Sequence, residues 1–261
     1  MPTLVLRNLY DYRELLFAWT GRVIRARYQQ SILGGLWAVV QPAATVAIFT
    51  VLFTRFLKVD TGDIPYVLFS YAAMVPWTLF STSITDMVES LVVNMNLVTK
   101  IYFPRDILVI AAMLARLVDF AIAFSILILL IVLYQVHVNA LGLLLLPVLL
   151  ATQLALALGI GLIGAAVNVF YRDVKHLVAL GLQIWLYATP IIYPSTLVPE
   201  HLQGLYFLNP MAGVIQGYRA VLLRGDLPTP YLGLSIIVAI VVLMFGFWFF
   251  KRMEHQFADV V

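Results

Sequence analysis

The chain contains no cysteine. Disulfides, thiolate metal sites and thiol nucleophiles are therefore excluded. Charge is scarce as well: Asp, Glu, Lys and Arg make up 11% of the 261 residues, where a soluble domain carries about 25%. No Gly-rich loop ending in Gly-Lys-Ser or Gly-Lys-Thr occurs, so nucleotide binding of that kind is not expected. Histidines at metal-ligand spacing, a nucleophile elbow and paired loop carboxylates are all missing, which argues against catalysis and against a metal site. The alternating strands of a membrane barrel are absent too. A net charge of +3 is too small to point to nucleic acid.

Apolar residues are what the chain has, at 63% of the total, against about 45–50% in soluble domains. Crossing a ~30 Å hydrocarbon core takes about 20 apolar residues per helix. With strands excluded, only helices can span. The expected fold is an all-α integral membrane protein, a single transmembrane domain over 1–261 with six spans at 33–56, 66–92, 107–134, 141–169, 177–193 and 231–250. A cleavable leader is not expected, because the first long apolar run begins near Leu33.

Residues 8–28 precede the first span. Leu9, Tyr12, Leu16, Trp19, Val23 and Ala26 recur at spacings of three and four, with Asp11, Glu14, Arg22 and Arg25 on the other face. That is an amphipathic helix for the headgroup interface. Simple anchoring and a part in gating or partner contact both stay open. Lysine and arginine counts set the orientation. One side holds Arg7, Arg13, Arg22, Arg25, Arg27, Lys100, Arg105, Arg172, Lys175, Lys251 and Arg252; the other holds Arg55, Lys58, Arg219 and Arg224. Eleven against four places both termini in the cytoplasm.

The stretch Val93–Asp106 interrupts the apolar pattern. Lys100, Arg105 and Asp106 cannot sit cheaply in hydrocarbon, yet Ile101, Tyr102 and Phe103 do not suit free solution. A short membrane-surface helix ended by Pro104 meets both demands, and it offers a place for a partner protein to push.

Other features admit two readings each. Asp86 and Glu89 in the second span and Arg116 and Asp119 in the third cost ~2.5–3.5 kcal/mol apiece unless paired. A structural ion pair locking the two spans is favoured over a proton relay, since other spans offer no mid-membrane acids. Ala151, Ala155 and Gly159, with Ala157, Gly161 and Ala165, form small-residue stripes that permit close helix packing within the chain or between subunits. Phe49, Phe53, Phe56, Tyr71, Trp77, Phe80, Trp185 and Tyr187 are channel-lining candidates or ordinary packing aromatics. Section 194–230 is too apolar for a plain loop; it reads as two short helices around Asn209-Pro210 that line or cap the outer mouth.

Several stretches together resemble a known family. They are Arg25-Ala26-Arg27-Tyr28-Gln29-Gln30-Ser31-Ile32-Leu33-Gly34-Gly35-Leu36-Trp37 with Gln41-Pro42, Val75-Pro76-Trp77, and Lys100-Ile101-Tyr102-Phe103-Pro104-Arg105. Asn168-Val169-Phe170-Tyr171-Arg172-Asp173-Val174, Thr189-Pro190-Ile191-Ile192-Tyr193, and Asn209-Pro210-Met211 leading to Gly217-Tyr218-Arg219 follow. In this order and spacing they resemble ABC-2 type exporter permeases of the branch that moves lipid-linked polysaccharides: O antigen, capsule and teichoic acid.

The resemblance implies a homodimer in the cytoplasmic membrane, served by two copies of a separate ATPase that binds ATP and Mg. An undecaprenyl-diphosphate-linked glycan is the implied substrate. ATPase coupling is implied for Asn94, Asn96, Lys100, Ile101, Tyr102, Phe103, Pro104, Arg105, Arg172 and Asp173, and an outer gate for Asn209, Pro210, Tyr218 and Arg219. The rivals are a secondary transporter or channel without an ATPase, a drug or small-lipid exporter of the same family, and a membrane enzyme acting on lipid-linked sugar.

Overall fold

A computed structural model describes residues 10–29, 31–56, 62–100 and 103–257. Ile101 and Tyr102, and the expected loop charges Lys58 and Asp60, lie outside the described residues. The described chain is helical and holds no strand. In chain order its helices are α1 (Arg13–Tyr28), α2 (Trp37–Val51), α3 (Tyr66–Val93), α4 (Met95–Lys100), α5 (Asp106–Leu133) and α6 (Ala140–Leu143). After these come α7 (Leu146–Phe170), α8 (Val174–Ala188), α9 (Glu200–Tyr206), α10 (Pro210–Arg219) and α11 (Tyr231–Met253).

Among the described residues, five stretches are long and apolar enough to cross a membrane: Gly34–Phe56, Tyr66–Val93, Asp106–Leu133, Leu146–Phe170 and Tyr231–Gln256. The expected sixth span, 177–193, holds a shorter helical stretch than the other five. Its helix, α8, has 15 residues, or roughly 22 Å at 1.5 Å per residue, less than the ~30 Å core, yet it carries the chain from the 171–173 turn to the section that packs beside the start of α3. Pro190 explains where it stops. The residue before a proline is pushed out of the α region, and Thr189 is extended at ψ 144°. The expected span at 141–169 also starts later, at Leu146, because the chain first makes the separate turn of α6 and then uses Pro147 in the first turn of α7.

The alternation of spans puts α1, α4, the 171–173 turn and the C-terminal end of α11 at one end of the molecule. The 134–145 connection and the 189–230 section lie at the far end. Central to the bundle is α3, whose residues from Tyr66 to Phe80 are almost all buried. It packs between α5 and α7, while α11 packs on α7 and α1 on α5.

Glycine sets the tightest of these contacts. A Cβ on Gly246 would meet the Gly159 carbonyl oxygen at 2.4 Å, and one on Gly159 would meet the Val242 oxygen at 2.6 Å. So α7 and α11 touch backbone to backbone. On another face of α7, Gly161 accommodates Met87 and Gly164 accommodates Val88, both from α3. The small residues of α7 therefore serve packing within the chain. Two side chains of α7 also cross to α3: Gln153 Nε2 donates to the Pro76 carbonyl at 3.1 Å and Asn168 Nδ2 to the Val88 carbonyl at 2.9 Å.

Section 189–230 holds the two expected short helices around Asn209-Pro210, α9 and α10. Most of α10 is buried against α3, α7 and α11, and the wider helical turn Ala220–Arg224 that continues it is buried through Leu223 and touches α6. Irregular backbone at membrane depth is tolerated when protein covers it.

Replacing Gly246 with Val places atoms against backbone that cannot move aside. The substitution should cost at least about 2 kcal/mol, read as a lower unfolding midpoint in detergent. Gly181, in mid-helix with nothing within 4 Å, should gain up to ~1 kcal/mol on conversion to Ala.

Candidate coupling face and far-end plug

At the α4 end, Asn94 closes α3. Its side-chain amide donates to the Ser90 carbonyl at 2.7 Å, and its own carbonyl accepts from the Leu97 N–H at 2.9 Å. The chain turns directly into α4. Val98 faces inward, while Asn96 and Lys100 are exposed. Phe103 is buried, and Pro104 and Arg105 are partly buried.

What holds this segment is the end of α11. The Arg105 N–H donates to Glu254 Oε1 at 3.0 Å, and its guanidinium donates to the Glu254 carbonyl. The same guanidinium lies 5.7 Å from the Phe257 ring centre. Asp106, only 1% exposed, pairs with Lys251 Nζ at 3.3 Å, and Lys251 also bonds Glu254 Oε2 at 2.9 Å. Phe257 is fully buried between Phe170 and Phe250, at 5.9 and 5.6 Å. Sequence reasoning missed Glu254 and Phe257 and read Lys251 only as a topology signal. The i, i+3 spacing of Lys251 and Glu254 was the one local hint. Arg172 and Asp173 are exposed in the turn at this same end.

Deeper in, Arg116 Nε bonds Asp86 Oδ2 at 2.6 Å and Arg116 Nη2 bonds Asp86 Oδ1 at 2.8 Å, a two-pronged bridge from α5 to α3. Arg116 Nη1 reaches Asp119 at 3.0 Å. The sequence did not supply the fourth member. Arg27, at the end of α1, bonds Asp86 at 2.6 Å and Asp119 at 2.9 Å. The Tyr28 hydroxyl donates to Asp119. Burial and that bond push the Tyr28 phenol up to about 12, so it stays a donor across physiological pH. Glu89, expected in this group, makes none of these bonds. Two arginines balance two aspartates, and the network fastens α1, α3 and α5 together.

At the far end, Asn209 Oδ1 accepts from the Met211 N–H at 3.1 Å, capping α10, and from Trp185 Nε1 at 2.8 Å. Its amide donates to Thr189 Oγ1 at 3.0 Å. Pro210 fits the first turn, where no N–H is needed. Tyr218 is buried. The buried Arg219 donates through Nε to the Phe69 carbonyl at 3.1 Å, through Nη2 to the Ile191 carbonyl at 2.6 Å, and through Nη1 to the Pro190 carbonyl. Its guanidinium carbon sits 3.5 Å from the Phe69 ring centre. One side chain thus ties α10 to the start of α3 and to the break after α8.

The aromatic candidates separate by exposure. Tyr71, Trp77 and Phe80 are buried, and Trp77 and Phe80 close on Trp185 at 6.3 and 5.3 Å. Within the chain they line no open surface. Phe49 and Phe53 are partly exposed, and Phe56 and Tyr187 are exposed at 75% and 53%.

The family model described as ABC-2 type transporter matches residues 14–223. The chain belongs to the ABC-2 type transporter family. This ABC-2 protein is 31% identical to the O-antigen export system permease protein RfbA of Myxococcus xanthus, with 98% of this chain and 99% of the relative covered. Against the protein of that name from Klebsiella pneumoniae it is 26% identical, covering 97% of each. The polysialic acid transport protein KpsM of Escherichia coli is 23% identical over 78% of this chain and 79% of its own length. The matched region takes in α4, the Arg27–Asp86–Arg116–Asp119 network and the far-end plug, and it stops short of Lys251 and Glu254.

Lys251→Met leaves the Asp106 carboxylate buried without its cation. That should lower stability by about 3 kcal/mol. Adding Asp106→Asn should recover part of the loss, because the two sites share one interaction. Denaturant unfolding of both variants checks this.

Proposed function

We propose that two copies of this chain form the membrane path of an ATP-driven exporter of lipid-linked polysaccharide, with O antigen as the cargo. Support for the cargo class comes from the full-length likeness to permeases named for O-antigen export. A separate pair of ATPases binds ATP and Mg below the membrane, and the glycan travels on an undecaprenyl diphosphate carrier. The lysine and arginine imbalance puts α4, both termini and the 171–173 turn in the cytoplasm, where such ATPases would sit.

One observation carries the mechanism: Arg105 and Asp106, which follow α4 closely in the chain, are fastened to the base of α11, far away in sequence. A push on the exposed face of α4, around Asn96 and Lys100, is therefore delivered to α11. Since α11 and α7 are in backbone contact, the two shift as one unit. Their far ends pack against α10, which Asn209 and Arg219 hold in place. Movement there opens the outer mouth, and the exposed Phe56 and Tyr187 are available to the glycan. Coupling of this kind needs an element with two discrete positions; the α10 plug, held by carbonyl contacts to Pro190 and Ile191, is that element.

The test is reconstitution of the permease with its ATPase in proteoliposomes. Phe103 is buried, so its removal would damage packing; Arg105 and Glu254 are the cleaner targets. Arg105→Ala and Glu254→Gln together should leave ATP hydrolysis near the wild-type rate while export falls about tenfold, within the range by which coupling residues act. Unchanged export would overturn the coupling route. Full transport by the permease alone in ATP-free vesicles would favour a channel or secondary transporter instead.

A further inference from the structure

We infer that the far end of the molecule carries a binding site for a phosphate group, built between Arg219 and Arg224. Arg219 has five N–H donors. Three are engaged by the carbonyls of Phe69, Pro190 and Ile191, which leaves two. Every one of those acceptors is neutral. Among the described residues no carboxylate comes within ion-pairing distance of Arg219. A buried cation without a counter-ion is costly at membrane depth, and this one is also repelled by Arg224.

The two arginines line one cavity of about 90 Å³, room for a few waters or one phosphate group. Two residues of its lining, Gln216 and Thr229, also carry a polar atom that the protein leaves unpaired, and a small turn of either side chain brings that atom to the cavity. These atoms, Gln216 Oε1 and Thr229 Oγ1, are buried. Buried polar atoms are nearly always paired. The threonine hydroxyl can donate to an anion, and so can the glutamine amide once its two ends are exchanged, an assignment that rests on the bonding pattern. Asp226 is the one carboxylate in the lining, and it is exposed. The cavity therefore keeps a net positive charge. A phosphate satisfies all of this at once: its oxygens match the guanidinium fork, and its charge supplies the counter-ion that Arg219 lacks. The group can come from a lipid headgroup of the adjacent leaflet or from a soluble or glycan-borne phosphate.

The probe is inorganic phosphate, titrated into the purified full-length permease in neutral detergent, with chloride at matched ionic strength as the control. Wild-type protein should show a saturable rise in unfolding midpoint. Arg224→Gln, at an exposed position, and Thr229→Val should each weaken the apparent affinity by about tenfold, one charge-assisted or hydrogen-bonded contact apiece. The titration is then repeated in phosphatidylglycerol nanodiscs. Loss of the response there assigns the site to a lipid headgroup; persistence assigns it to a soluble or glycan-borne phosphate. Absence of a rise in detergent, or equal curves for wild type and both variants, would overturn the site. Neither ATPase nor glycan is present, so such a failure leaves the exporter reading untouched.

Discussion

The contact between Gly159 and Gly246 sets the geometry of the bundle. Hydrocarbon gives no hydrophobic drive for two apolar helices to meet, so association depends on close packing and hydrogen bonds. Here α7 and α11 come together until backbone meets backbone. With α11 fixed on one face of α7, α3 seats on another through Gly161 and Gly164. The base of α11 then becomes an attachment point for the α4 segment, and its upper part a wall for α10. A larger side chain at either glycine would push α11 away from α7 and from the parts seated on both.

Polar groups are distributed by the same logic. In a chain with so little charge, each buried charged group needs a reason, and three assemblies supply it. At the α4 end, Lys251 pairs with both Asp106 and Glu254, and Glu254 accepts from Arg105. One level deeper, two arginines and two aspartates balance across α1, α3 and α5. At the far end Arg219 breaks the pattern by using carbonyl oxygens only. Carbonyl dipoles orient a guanidinium well but leave its charge uncompensated. That difference separates a lock from a site that can still take a ligand, and it falls where the chain is least regular.

The sequence revealed much of this architecture and hid particular parts. Long apolar runs fixed the five crossing helices. Charges beside aromatic residues marked α4, and Asn209-Pro210 marked the start of α10. The bridge from Asp86 to Arg116 followed from the cost of leaving charges unpaired in two neighbouring spans. Arg27 and Glu254 escaped because their partners lie 59 and 149 residues away, and no periodicity reports such a pairing. Glu89 was included on proximity alone, although its neighbour Asp86 points to the network and it does not. The aromatic candidates failed to sort themselves for a related reason: a helix apolar all round gives no sign of which face is buried. The end of α8 was set too late because hydropathy continues through Pro190 while the helix does not.

Coupling through the base of α11 requires α4 and that base to move as one body. The absence of native cysteine makes this measurable with introduced labels. Spin labels at Asn96→Cys and His255→Cys, both exposed, can be placed in one copy of the proposed dimer, diluted with unlabelled chains. Their separation would be recorded by double electron–electron resonance, with the ATPase present and with or without a non-hydrolysable nucleotide. A single narrow distance, the same in both states while export activity is intact, is the predicted result. A distance that shifts or splits by several ångströms when nucleotide binds would show the two elements moving apart and would contradict it.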